Sequence, residues 1–318
     1  MRALVTGASG FAGQWLCREL LAEKWDVWGV SAHGVANPVL TGDEIGAVRW
    51  SIRDLRDPAS VSQVLDQALP DAIFHLAGIS FVPAATADPV SAYDINVGVA
   101  VRLVHECQQR RAAGTLDPAL LLIGSAEQYG RHEVSTMPLG EAAEQRPATV
   151  YAATKLAQEI VGAQAHRASG LRVVMTRSFN HSGPGQLGEF LLPATVRRVL
   201  ALRQAGGKEL RVGNLTAIRD FLHVRDAVTA YRLLAERGQA GEVYNVCSGR
   251  GWSVAEVTAL ALERAQVDAR LVTDASLLRP VDLPALVGDP AKIRAATGWV
   301  PRRALPDILD DLLHAATD

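Results

Sequence analysis

Ala3-Leu4-Val5-Thr6-Gly7-Ala8-Ser9-Gly10-Phe11-Ala12-Gly13 passes from a short apolar strand candidate through a glycine-rich turn into a helical pattern. Trp15, Leu16, Cys17, Leu20 and Leu21 carry that helical spacing through residues 12–23. Glycine at such a junction permits a tight turn and lets the backbone approach a diphosphate, while the helix N-terminus stabilises the negative charge. The spacing is GxxGxxG rather than GxGxxG, and a plain strand-to-helix turn would use the same residues. Its place at the first β–α junction favours nucleotide binding, with Gly7, Gly10, Phe11, Ala12 and Gly13 as cofactor contacts.

Outward from this segment, short apolar runs alternate with longer helical patterns. Strands are expected at 3–6, 26–31, 47–52, 72–76, 120–123 and 171–176, and helices at 12–23, 58–69, 90–111 and 150–169. Strands of four to six residues between helices of ten or more are βαβ units, so the expectation is an α/β fold with a doubly wound parallel sheet buried on both faces. The alternation weakens after Arg177, where Gly183, Pro184, Gly185 and Gly188 cluster. Helices at 193–204 and 224–236 and strands at 209–212 and 242–246 follow. Ser253 and Glu256 have the spacing of a capping box, and Asp289-Pro290 reads as an N-cap with proline at the first helical position of a helix stopped by Gly298. Residues 1–177 plus about 219–248 are expected to form a dinucleotide-binding domain. Residues 178–218 plus 249–318 would form a smaller C-terminal α/β substrate domain across a cleft.

Composition narrows the classes. A length of 318 residues suits about two domains. With 48% hydrophobic and 21% charged residues the chain reads as globular, and a net charge of −2 argues against a polyanion-binding surface and so against nucleic acid as a partner. Cys17, Cys107 and Cys247 are too widely spaced for a metal site or disulfide framework, which points to reduced thiols, no metal and a cytoplasmic location. The longest apolar stretches, such as 119–123, fall far short of the roughly 18 residues of a membrane span, and Gly7 interrupts any signal-peptide core.

Tyr151-Ala152-Ala153-Thr154-Lys155 is the most informative pentapeptide. Residues i and i+4 share a helix face, and an ammonium near a phenol should lower the tyrosine pKa from about 10 towards the working pH. With Ser125 at the end of the preceding strand to hydrogen-bond the reacting oxygen, these are the parts of a carbonyl/alcohol hydride-transfer site. After the second strand come Ser31, Ala32 and His33: no acid that would repel a 2′-phosphate and no arginine that would bind one, a slight preference for NADP over NAD. Asp54-Leu55 after the third strand reach the adenine, or Asp54 caps the helix before Pro58.

These features resemble the extended short-chain dehydrogenase/reductases acting on nucleotide sugars, also called the NAD-dependent epimerase/dehydratase family. The resemblance rests on the glycine segment, His75-Leu76-Ala77-Gly78, Asn96, Ser125, Tyr151xxxLys155, Arg177-Ser178-Phe179-Asn180 through Gln186, Arg219-Asp220-Phe221 and Arg279-Pro280-Val281-Asp282. Within the family, Val212-Gly213-Asn214-Leu215 and Val243-Tyr244-Asn245-Val246-Cys247-Ser248-Gly249 make the chain most similar to the GDP-sugar branch of 4-keto-6-deoxy-mannose reductases and GDP-mannose 4,6-dehydratases. The resemblance implies a Rossmann domain and an NADP- or NAD-dependent nucleotide-sugar oxidoreductase, with Tyr151 relaying a proton at the sugar C4 oxygen, Lys155 holding the nicotinamide ribose and Ser125 orienting the oxygen. It further implies cofactor contacts from Leu76, Ala77 and Gly78, substrate contacts from Ser80, Asn180, Arg219, Arg279 and Asp282, and a homodimer paired through helices 90–111 and 150–169.

Reduction of a GDP-4-keto-6-deoxy-hexose, of the GDP-rhamnose type, is the leading expectation. Glu127, two residues after Ser125, keeps the dehydratase open, since that is where the family's dehydratases carry their base; the shorter chain and the reductase-like segments weigh against it. Epimerisation would need a cysteine where neither Cys17 nor Cys107 falls. A non-catalytic nucleotide sensor would be expected to have lost Tyr151 or Lys155.

Overall fold

The computed structural model describes residues 1–274, 277 and 283–316. The first part of the chain runs β1 (Arg2–Thr6), α1 (Phe11–Ala22), β2 (Asp26–Ser31), α2 (Gly42–Ala47), β3 (Arg49–Ile52), α3 (Pro58–Ala68), β4 (Ala72–His75), α4 (Val82–Ala87), α5 (Pro89–Tyr93), α6 (Val99–Ala112), β5 (Ala119–Ser125), α7 (Val150–Ser169) and β6 (Val173–Ser178). The remainder runs β7 (Asn180–Ser182), α8 (Leu191–Ala205), β8 (Glu209–Val212), β9 (Ile218–His223), α9 (Val224–Arg237), β10 (Val243–Val246), β11 (Gly251–Ser253), α10 (Val254–Arg264), β12 (Arg270–Thr273), β13 (Ala285–Leu286), α11 (Ala291–Thr297) and α12 (Leu305–Ala315).

Seven parallel strands form the main sheet in the order β10-β6-β5-β4-β1-β2-β3. Successive residues of each strand bury opposite faces. Ala3, Val5, Phe74 and Leu121 pack with α1 and α9, while Leu4, Ile73, Leu120 and Leu122 pack with α3 and α6. Both faces are dry, which is why the strands read as unbroken apolar runs. The order reverses between β1 and β4, and in a Rossmann sheet that switch point opens a crevice beyond the carboxyl ends of the strands.

The long helical pattern at 90–111 is built from α5 and α6 joined by one π-helical turn, Asp94–Gly98. The turn inserts a residue into the helical repeat and aims buried Asn96 at the loop after β4. Ser253 and Glu256 form the expected capping box. At α11 the cap falls one residue later than expected: Pro290 is itself the N-cap, and Asp289 Oδ1 accepts from Ala291 N at 2.9 Å.

The second lobe is woven from distant segments. β9 pairs with β7, β11 and β13, and β8 pairs with β12. Helices α8, α10 and α12 cover a separate core that includes Leu192, Val199, Phe221, Val257 and Leu309. The segment expected to return to the first domain therefore divides. Its opening strand β9 lies in the second sheet, and the return begins with α9 against α1 and continues as β10, the outermost strand of the main sheet. Arg279 and Asp282 lie outside the described residues.

Candidate active site

Candidate residues gather at the carboxyl ends of the main-sheet strands, with Gly7 after β1, Ser31 ending β2, Asp54 after β3, Leu76 after β4, Ser125 ending β5 and Asn180 after β6, while Tyr151 and Lys155 stand in the first turns of α7. The parallel sheet thus collects side chains far apart in sequence along one edge.

At β1 the working groups are backbone. Gly7 has φ +70°, and a Cβ there would sit 2.8 Å from Ala77 N. A Cβ on Gly13 would overlap the Gly7 carbonyl. Gly10 is the N-cap of α1 and contributes no side-chain cap, so the first-turn N–H groups are left for an anion. This is a cradle that fits a dinucleotide diphosphate. Beside it, the Ser31 hydroxyl contacts that of Ser9. Asp54 does not cap α3: Asp57 does, accepting from Ala59 N at 3.2 Å. Asp54 is held instead by the Arg56 guanidinium at 2.6 Å, which keeps its carboxyl below the usual range. Leu76 and Ala77 line the turn after β4, where Thr6 Oγ1 accepts from Ala77 N at 3.2 Å. Gly78 lies against Asn96 and Lys155, and Ser80 is exposed two residues on.

At β5 the working groups are side chains. Thr149 caps α7, accepting from Ala152 N at 3.1 Å, and so fixes the turn that carries Tyr151 and Lys155. The Tyr151 phenol lies close enough to Ser125 for the serine hydroxyl to favour its ionised form. Ser125 in turn opens a tight helical turn: its Oγ accepts from Glu127 N at 3.2 Å, and Gln128 Oε1 accepts from Ser125 N at 2.8 Å. Gln128 Nε2 donates to Glu159 Oε2 at 2.8 Å, and Arg177 grips both oxygens of that carboxylate at 2.7 and 2.9 Å. The geometry of Ser125 and Glu127 is therefore set by an ion pair behind the site.

The electrostatics depart from the sequence-based expectation in one respect. Burial pushes the Tyr151 phenol up to about 12, the Glu127 charge adds to this, and the neighbouring Ser125 only partly opposes it. The Lys155 ammonium donates to Ile123 O at 2.8 Å and Gln158 Oε1 at 3.0 Å. Burial brings Lys155 itself down to about 8. At neutral pH Tyr151 is a phenol able to give a proton, with a cation nearby to receive the resulting negative charge.

On the far side of the cleft, Asn180 is exposed at the start of β7. Arg219 on β9 donates to Ile218 O at 2.9 Å and Leu283 O at 2.7 Å. Its neighbour Asp220 is buried and accepts from Ser248 N, Ser248 Oγ and Gly249 N at 2.6–2.9 Å, tying β9 to the loop after β10. Several residues of the site were not singled out from sequence. The His181 ring stacks on Phe11 of α1, joining β7 to the glycine segment. Tyr231 on α9 donates to Ser178 Oγ at 2.9 Å. Gln158 is buried against Lys155. The only sequence signal for Gln158 was its i+3 spacing from the lysine; Phe11 and His181 lay within the glycine and 180–186 segments, and Tyr231 had no signal.

Comparison with known proteins agrees with this geometry. The family model of GDP-mannose 4,6-dehydratase matches residues 4–312. A GDP-6-deoxy-D-mannose reductase of Pseudomonas aeruginosa is 34% identical, over 98% of this chain and 96% of its own length. A GDP-6-deoxy-D-talose 4-dehydrogenase of Aggregatibacter actinomycetemcomitans is 30% identical, over 94% and 92%. The structure of RMD from Pseudomonas aeruginosa complexed with NADPH matches with a TM-score of 0.81 at 31% identity, covering 99% of this chain and 98% of that one. With its doubly wound sheet, glycine cradle and Ser125–Tyr151–Lys155 constellation, the chain belongs to the GDP-mannose 4,6-dehydratase family of extended short-chain dehydrogenase/reductases.

Proposed function

We propose that the protein reduces the C4 ketone of a GDP-linked 4-keto-6-deoxy-hexose, as a GDP-4-dehydro-6-deoxy-D-mannose reductase of the GDP-rhamnose type, using a nicotinamide dinucleotide with NADP preferred over NAD. The observation that carries this reading is Tyr151, a buried phenol beside Ser125 and still protonated at neutral pH, which is the state a ketone reduction requires. The reductase and dehydrogenase relatives support the substrate class. Ser31 in place of an acid at the end of β2 and the NADPH complex of the related structure support the cofactor.

Reduced nicotinamide, when bound, supplies hydride to C4; the remaining work falls to this chain. The glycine segment holds the diphosphate on the N-terminus of α1. Leu55 and Asp54 face the adenine side, and Lys155 and Gly78 the nicotinamide ribose. Ser125 Oγ and Tyr151 Oη meet at the ketone oxygen, Ser125 orienting it and Tyr151 giving it a proton. Asn180, Arg219, Arg279 and Asp282 serve the nucleotide and phosphates of the sugar donor, Ser80 the sugar. In this division, residues 1–177 with the return through α9 and β10 bind the dinucleotide, and the second lobe binds the nucleotide sugar. Val90, Tyr93, Val101 and Ile160, apolar yet exposed along α5–α7, support a homodimer through those helices. Among the described residues no helix is long and apolar enough to cross a membrane, and we place the enzyme in the cytoplasm.

A second reading is dehydration of GDP-mannose with tightly bound NADP and Glu127 as base, favoured by the Glu127 backbone bond to Ser125 and the reach of its charge to Tyr151. Supplying the purified protein first with GDP-mannose and NADP⁺, then with the 4-keto sugar and NADPH, separates the two. The reductase consumes NADPH only in the second mixture. A 4-keto product from GDP-mannose alone, with no net cofactor reduction, establishes the dehydratase.

A further inference from the structure

Lys155 is a buried cation with no counter-ion among the described residues. Its side chain meets neutral acceptors, Ile123 O at 2.8 Å and Gln158 Oε1 at 3.0 Å, and Gln158 Nε2 lies 3.5 Å from the same carbonyl. Gln158 is 1% exposed and sits three residues along α7, on the face that Lys155 occupies. A carboxylate stands at the very next position, but Glu159 is turned away into the grip of Arg177. Burying a charge against dipoles alone is costly, so an amide held in this place has a consequence for the charge it faces.

We propose that Gln158 is a positioning residue for the reaction: its amide oxygen fixes Lys155 Nζ beneath the site, and its neutrality leaves that ammonium unpaired. The proposal rests on the reductase reading for its role in turnover, but not for its effect on Lys155.

The surrounding groups are consistent with this. His75 at the end of β4 is held neutral by burial, pushed down to about 3, with the Lys155 charge contributing. Asn96 from the π turn is occupied by Ile79 N at 2.7 Å and Thr154 Oγ1 at 2.9 Å. Tyr151 on the same helix is a neutral phenol, and Glu127 beyond β5 acts on Tyr151. Burial thus sets Lys155 near 8, poised to lose its proton just above neutrality. Above that pH the cation that stabilises a Tyr151 phenolate disappears, so turnover should fall on the alkaline side. A carboxylate at 158 would pair the ammonium and move that fall to higher pH; an apolar side chain there would move it lower.

The chain has four lysines, Lys24, Lys155, Lys208 and Lys292, so lysine ε-carbon NMR of labelled protein resolves each titration without cofactor or substrate. The Lys155 signal is the one lost in Lys155→Met. The expected result is a Lys155 titration displaced upward by about one unit or more in Gln158→Glu and downward in Gln158→Met, with the alkaline limb of NADPH-dependent kcat/KM following the same order. Coincident Lys155 titrations in wild type and both variants, with only a lowered melting temperature, would overturn the proposal and leave Gln158 a packing residue. If Gln158→Met does not fold, the upward shift in Gln158→Glu alone decides. Displaced titrations without any ketone reduction would instead refute the reductase reading and leave the role of Gln158 in holding Lys155 intact.

Discussion

At the β1 end of the cleft the ligand would meet backbone: a glycine at φ +70°, a second glycine pressed on the first one's carbonyl, and the uncapped first turn of α1. At the β5 end it would meet side chains set by a run of contacts behind them: Tyr151 stands beside Ser125, the Gln128 side chain holds the Ser125 backbone, Glu159 holds Gln128 and Arg177 holds Glu159. The first end fails when volume is added, because a Cβ has nowhere to go. The second fails when a polar atom is removed, because a buried partner is then left unsatisfied. One strand edge therefore holds a rigid anion cradle and a tunable proton-transfer site, and mutations should affect them differently.

The largest separation is expected from Tyr151→Phe, which deletes one oxygen and no volume. Ketone reduction should drop on the order of a thousandfold while NADPH affinity stays near wild type, as measured by steady-state kinetics and fluorescence titration. Gly13→Ala reverses the pattern: the added Cβ displaces the Gly7 carbonyl and NADPH affinity should fall on the order of a hundredfold, whatever sugar is supplied. Arg177→Met strips a buried carboxylate of its partner. Urea denaturation should show a loss of about 3–5 kcal/mol, with turnover falling through the loosened Ser125 turn. The smallest effect belongs to Glu127→Gln, which should leave ketone reduction close to wild type; a collapse of rate would shift the chemistry towards the dehydratase.

How much of this was readable in the sequence differs between the two lobes for a physical reason. Main-sheet strands are buried on both faces, so 3–6 and 72–76 stood out as apolar runs between glycines and helices. The β9 strand, Ile-Arg-Asp-Phe-Leu-His, did not stand out, because Asp220 is tolerated inside it through donors from residues 248, 249 and 288. Those donors arrive by pairings no local pattern records. In the site, the i,i+4 spacing of Tyr151 and Lys155 placed both on one helix face. It could not reveal that Gln158 rather than the phenol would take the ammonium, nor that Glu159 would turn away, since that choice is made by Arg177 on β6. The expected lowering of the Tyr151 pKa missed because burial of the phenol outweighs what favours its ionised form.

The central claim is a neutral phenol that protonates a C4 oxygen, and the most direct measurement is product formation from GDP-4-keto-6-deoxy-mannose with NADPH under single-turnover conditions. The account predicts one NADPH oxidised per 6-deoxyhexose formed, abolished by Tyr151→Phe. Reduction that survives that substitution at near wild-type rate, or sugar conversion from GDP-mannose with no net NADPH oxidation, would contradict it.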